Sequence, residues 1–160
     1  MNLFGMMETS GSAMQAERVR AEVVAANMAN VETTRTASGG PYRRQEVVFA
    51  ADRGDPGFLD SISVAAGSGL AAAPLAPPGS TQVAPGVRIS QVVNDPSPPL
   101  QRYDPGHPDA DANGYVSYPD INPVTEMVDL MGATRAYGLN GSAVQAEKSM
   151  ITSALEIAKA

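Results

Sequence analysis

The residues that could do chemistry gather in one stretch, Asp109-Ala110-Asp111-Ala112-Asn113-Gly114-Tyr115-Val116-Ser117-Tyr118-Pro119-Asp120. Acids at its first and third positions, Asn at the fifth, Gly at the sixth and an apolar residue at the eighth fit the first half of an EF-hand loop. In such a loop the oxygens converge on a hard cation, and the Gly allows the sharp turn. The second half fits poorly. Asp120 stands where a bidentate Glu is the norm, Pro119 precedes it, and no amphipathic helix leads in. The other reading is an Asx-rich turn running into a strand, with Asn113-Gly114 supplying a left-handed residue. We adopt the turn and expect neither a metal nor a cofactor.

No second constellation is better. His107 is the one histidine and sits in the rigid loop Pro105-Gly106-His107-Pro108, where exposure is the expectation. No Ser or Thr has another candidate histidine to activate it, and no Gly-rich phosphate loop follows a strand. The absence of cysteine removes disulfides, thiolate catalysis and Cys-type zinc sites. An enzyme is not expected.

Composition points to a thin, extended protein. Of 160 residues only 5% are aromatic, with no Trp, while there are 15 Gly and 13 Pro. Large aromatics contribute heavily to compact cores, so the chain is expected to need partners to cover its apolar faces. The net charge of −6 lies mostly in the middle: residues 51–120 carry eight Asp against three Arg, whereas residues 1–50 balance five Arg with five Glu. No basic stripe is present to neutralise phosphates, so nucleic-acid binding is not expected. The start, Met1-Asn2-Leu3-Phe4-Gly5-Met6-Met7-Glu8, lacks a basic region and does not read as a cleaved signal peptide. No apolar run reaches the ~18 residues of a membrane span.

Three regions must position the loop. Residues 1–31 read as an N-terminal assembly helix, with Leu3, Met7, Ser10, Met14, Ala21, Val24, Met28 and Val31 recurring mostly three or four apart. Gly5 and Gly11 weaken its first turns. Residues 122–160 read as a C-terminal assembly helix: Asn122 is a good N-cap, Pro123 suits the first helical position, and Glu126 and Asp129 favour the dipole. Met127, Leu130, Thr134, Tyr137, Gly141, Val144, Lys148, Ile151, Leu155 and Ala158 then form a heptad seam. Thr, Gly and Lys flaw it for a two-stranded zipper, but a crowded array tolerates small residues and a Lys stem. Residues 32–121 read as a β-rich lobe with runs at 45–49, 61–64, 87–93 and 115–118, and with a low-complexity loop at 66–81. The expected fold is mainly α with a small β-rich middle: terminal helices packed as a coiled-coil-like pair, with an inserted β lobe and a flexible loop.

Three motifs carry a resemblance over nearly the whole chain. Val24-Ala25-Ala26-Asn27-Met28-Ala29-Asn30-Val31 looks like the A-x-N-x-A-N element shared by rod and hook proteins. Ala133-Thr134-Arg135-Ala136-Tyr137-Gly138-Leu139-Asn140 resembles their A-x-R-x-Y-x-x-N. The stretch from Tyr103, Asp104 and Pro105 through Asp109, Asp111, Asn113, Gly114 and Tyr115 to Val128 is similar to the segment typical of one subunit type. Together they resemble the FlgC family of flagellar basal-body rod proteins, subunits of the proximal rod. The resemblance implies terminal helices packed around a narrow channel, an outer β lobe, and type III export without signal cleavage. It further implies a periplasmic place in the driveshaft that passes motor torque to the hook. Implied partners are copies of the chain, neighbouring proximal and distal rod subunits and the MS-ring/export-gate adaptor, without membrane insertion. Another axial subunit of the same apparatus is the alternative, ahead of a calcium module at residues 109–120. Asn27, Asn30, Arg135, Tyr137 and Asn140 are the candidate polar contacts that fix register between helices, or else bonds within one subunit. Asp120, Gly141 and the length of the 66–81 stretch depart from the family pattern.

Overall fold

Two long helices lie antiparallel and enclose almost no large apolar core between them. The structure, a computed structural model, describes residues 3–52 and 86–159. Helix α1 spans Leu3–Ala29 and helix α2 spans Pro123–Lys159. Their direction follows from three contacts taken in order. Asn27 meets Glu126, Arg20 meets Asp129, and Met14 lies 3.9 Å from the point where Gly141 would carry a Cβ. The buried apolar residues among those described are Ala16, Val24, Val116, Ile121 and Ala133. Small side chains let the helices approach closely but bury little area, so the hydrophobic return is low.

Local chemistry fixes both helix boundaries near the turn. Asn122 Oδ1 accepts the Val124 N–H at 3.0 Å and Asn122 O accepts the Glu126 N–H at 3.1 Å, so Asn122 caps α2 as expected. At the other boundary Asn30 Nδ2 donates to Ala26 O at 2.8 Å, and Thr33 Oγ1 donates to Asn30 Oδ1 at 3.1 Å. Asn30 thus folds its side chain back on the last turn of α1 and links it to Thr33 in the segment that follows.

The middle forms two separate antiparallel hairpins. Strands β1 (Gln45–Asp52) and β2 (Gly86–Asn94) make a ribbon with a bulge between Val48 and Phe49. The register passes from Gln91 to Ile89, so the extra residue is Ser90 on β2, and Val48 and Phe49 opposite it are both exposed. The ribbon lies along α1, tied at one end by Asn27 to Gln45 and at the other by the Val87 N–H to Ser12 Oγ at 3.1 Å. Strands β3 (Leu100–Tyr103) and β4 (Tyr115–Tyr118) form the second hairpin. Runs 45–49, 87–93 and 115–118 thus belong to strands, whereas run 61–64 and loop 66–81 lie outside the described residues. Strand β3 was not expected: four residues flanked by Pro98, Pro99 and Pro105 carry turn signals that mask a short, exposed strand. No described helix is long and apolar enough to cross a membrane.

Candidate functional site

The acidic loop is a turn in which the Asp109 and Asp111 carboxylates already have donors. Asp111 Oδ1 accepts the N–H groups of Asn113 and Tyr115, both at 2.8 Å. Asp109 Oδ2 accepts the Thr34 hydroxyl at 2.8 Å, and Oδ1 lies 3.6 Å from Arg35. Asp109 therefore ties the hairpin to the segment after α1, while Asp111 folds the turn. Among the described residues no group of three metal-ligating side chains gathers. Gly114 has φ +82°, and an added Cβ would lie 2.9 Å from Tyr103 Cε2 and 3.2 Å from Pro105 Cβ, so both conformation and space call for Gly. Asp104 contributes its N–H to Gly114 O at 2.9 Å, and Tyr115 packs edge-on against Tyr103 at 5.4 Å. His107 departs from expectation: it is half-buried, Nδ1 accepts the Asp109 N–H at 3.1 Å, and the ring sits edge-on to Tyr118 at 6.2 Å.

The most connected polar group among the described residues lies elsewhere, where α1, β1 and α2 meet. Asn27 is almost fully buried and uses its whole hydrogen-bonding capacity. Its Nδ2 donates to Gln45 O at 2.9 Å and to Glu126 Oε2 at 3.1 Å. Its Oδ1 accepts the Gln45 N–H at 2.9 Å and the Tyr42 hydroxyl at 3.1 Å. Glu126 is 1% exposed, and its Oε1 accepts from Arg44 Nε at 2.7 Å. Arg44 also pairs with Glu46, and Arg20 bridges to Asp129 at 3.1 Å beside the hub. Burial raises the Tyr42 phenol above its ordinary value, and the Glu126 charge raises it further. Glu126 reads in the sequence as an acid favouring the helix dipole; the structure makes it the buried half of an ion pair. Its partners are 82 and 99 residues away in the chain, so no local spacing announces them. The available signal is its phase: Glu126 lies seven residues before Ala133, on the side that faces α1.

The candidate assembly residues separate into two sets. Leu130, Val144 and Ile151 turn toward α1 and are partly covered, as are Met7, Met14 and Met28 on α1, while Val24 is buried. Leu3 opens α1, and its side chain lies outside those described. Met127, Tyr137 and Leu155 are about half exposed, though Tyr137 stays close enough to Arg18 of α1 to act on its charge, so the heptad seam is not covered by α1 as one stripe. The face that does meet α1 runs through Glu126, Leu130, Ala133, Ala136, Asn140 and Val144, because small side chains permit the approach. Val128, Met131, Leu139, Met150 and Ile157 are exposed as well, the last 79%. Of the candidate polar contacts, Asn27 and Asn30 bond within the chain, and Asn140 Nδ2 donates to Ala136 O at 2.9 Å. Arg135 is exposed and makes no ion pair among the described residues. The hydroxyls of Thr134, Ser142, Ser149 and Thr152 each turn back on the carbonyl four residues earlier.

Comparison with known proteins places this arrangement. The model of the flagella basal body rod protein family matches residues 7–35, and that of the flagellar basal body rod FlgEFG protein C-terminal region matches residues 112–157. The two matched stretches contain Asn27 and Glu126, the two halves of the hub. The flagellar basal-body rod protein FlgC of Borreliella burgdorferi is 38% identical over 169 residues, covering 98% of each chain. Its counterpart in Bacillus subtilis is 39% identical over 163 residues, covering 99% of this chain and all of the relative. That of Salmonella typhimurium is 34% identical over 157 residues, covering 98% of each. Identity at this level across full-length relatives, together with both family models, means that the chain belongs to the FlgC family of flagellar basal-body rod proteins.

Proposed function

We propose that the chain is a structural subunit of the flagellar proximal rod. In this reading α1 and α2 join those of neighbouring copies and of adjoining rod proteins to form the wall around the export channel. The observation that carries it is the orientation of α2. Met127, Val128, Met131, Leu139, Met150, Leu155 and Ile157 are each half exposed or more, left uncovered by α1, the other helix among the described residues. A lone soluble domain gains nothing from such a face, whereas a helix surrounded by others buries it at roughly 1–2 kcal/mol for each side chain. The hub then sets how the β ribbon stands on the helix pair, so that torque borne by the helices reaches the outer lobe through hydrogen bonds and an ion pair.

The role is mechanical rather than catalytic. Residues 1–31 and 122–160 serve as assembly segments and the middle as the outer lobe. The site is the periplasmic part of the basal body, reached by type III export without signal cleavage, and the inner neighbours include the MS-ring/export-gate adaptor. Replacing Met131 and Leu139 together with Asp tests this reading. Both are about two-thirds exposed, so the purified chain should keep its melting temperature while swimming and recovery of the chain in isolated basal bodies are lost. Normal swimming by this variant would refute the assembly face.

A further inference from the structure

Methionine is distributed unevenly between the two helices. Helix α1 holds Met6, Met7, Met14 and Met28, each partly covered. The Met14 sulfur lies against α2, 3.9 Å from the point where Gly141 would carry a Cβ. Helix α2 holds Met127, Met131 and Met150, which are 54%, 64% and 50% exposed. Met127 and Met131 are four residues apart, and Val124 and Val128 complete with them the i, i+3, i+4, i+7 spacing of one helix face. Both valines are exposed too. The four side chains make one apolar patch on the opening turns of α2, with two thioethers open to solvent.

A thioether differs from the Val and Leu side chains around it in carrying a reactive lone pair. With hydrogen peroxide, the sulfur attacks one peroxide oxygen. The S–O bond forms as the O–O bond breaks, and after proton transfer the products are the sulfoxide and water. Sulfur gives up two electrons and the peroxide takes them. The conversion turns a flexible apolar side chain into a polar one and disrupts Met-rich interfaces. A sulfoxide oxygen is unfavourable in a covered apolar patch unless a donor meets it. The same two side chains therefore fit an interface when reduced and oppose it when oxidised.

We propose that Met127 and Met131 are sites of peroxide oxidation in the unassembled subunit, and that their sulfoxides bar the subunit from joining an assembly. The proposal rests on the rod reading, in which neighbours cover this face. Once covered, the two sulfurs are withdrawn from the oxidant, so peroxide acts on construction and spares finished rods.

The test begins with the purified full chain, held below its melting temperature in hydrogen peroxide, with sulfoxide located by peptide mass. Met127 and Met131 should oxidise about fivefold faster than Met14, or more. Substitutions in the host's own chromosomal copy follow. Met127→Leu with Met131→Leu keeps the patch apolar and should swim normally. Met127→Gln with Met131→Gln places a permanent polar group there and should reduce swimming about tenfold. After a sublethal peroxide pulse during flagellar growth, the unsubstituted chain in isolated basal bodies should carry about tenfold less sulfoxide at the two positions than the free pool. Equal oxidation of Met14 in the free chain would overturn the proposal, as would normal swimming by the Gln pair or loss of swimming by both pairs. If the chain is missing from isolated basal bodies, the rod reading fails. If it is present there with as much sulfoxide as the free pool, only the exclusion of oxidised subunits fails.

Discussion

The two faces of α2 follow opposite rules. On the inner face, Glu126 and Asn140 sit among Ala133, Ala136 and Gly141, and the deepest polar group, Glu126, has partners on both oxygens. On the outer face the side chains are larger and more apolar, and they remain in water. In an ordinary globular domain the larger apolar residues would point inward. The contrast shows that hydrogen bonds and an ion pair hold the inner face, while the large apolar side chains of the outer face stay uncovered within the subunit. The isolated chain is accordingly expected to be of low thermal stability, its helices gaining order as neighbours cover them.

Breaking the inner face should have the largest effect. Arg44→Met keeps the stem but leaves Glu126 buried without its cation, and should cost about 3–5 kcal/mol in denaturant unfolding of the free chain. A loss below about 1 kcal/mol would mean that the hub does not hold the helices to the ribbon. Asn27→Ala leaves the Gln45 backbone pair and the Tyr42 hydroxyl without partners, and should cost about 2–4 kcal/mol. If Asn27→Asp were equally damaging, the donated bond to Glu126 would be the essential one, since two carboxylates would then face each other.

The contrast can be sharpened in the opposite direction. Gly141 lies on the inner face, and a methyl there would meet only Met14 Sδ at 3.9 Å, an ordinary contact distance. Gly141→Ala should therefore stabilise the free chain by about 0.5–1 kcal/mol through helix propensity. The smallest effect is pH-dependent. The folded-state value of Tyr42 lies above the unfolded one, chiefly through burial and then through Glu126. The native state thus holds the phenolic proton more tightly. That contribution is complete below the ordinary tyrosine range near pH ~10 and is lost as pH rises through the folded value. Melting temperatures between about pH 8 and 11 should fall more for the unsubstituted chain than for Tyr42→Phe, which has no phenol to ionise.

The sequence makes the helices legible because their signals are local. Asn122-Pro123 marks the start of α2, and periodic apolar residues mark its length. The acid-rich loop is legible as a turn for the same reason: Asn113-Gly114 sets its conformation and Asp111 bonds two to four residues ahead. Asn27 and Asn30 stand out within a motif; Asn30 bonds locally to Ala26 and Thr33, whereas the bonds of Asn27 emerge only when Tyr42, Gln45 and Glu126 are brought together. Arg44 and Glu126 were not singled out as partners because an ion pair across 82 residues leaves no periodic trace. The heptad reading finds where apolar weight lies on α2. It does not tell which face meets α1, since that face is chosen by small residues and one carboxylate.

The hydroxyls of Thr134, Ser142, Ser149 and Thr152 gain a further meaning from this contrast. Each is bound to its own helix, to a carbonyl four residues back. Water therefore has few strong claims on the side chains interspersed with the exposed Met, Leu and Ile. When a neighbouring helix arrives, the surface can shed its hydration without stranding a donor. These four hydroxyls can thus be covered at little cost, whereas Arg135, exposed and without an ion pair among the described residues, would still call for a partner.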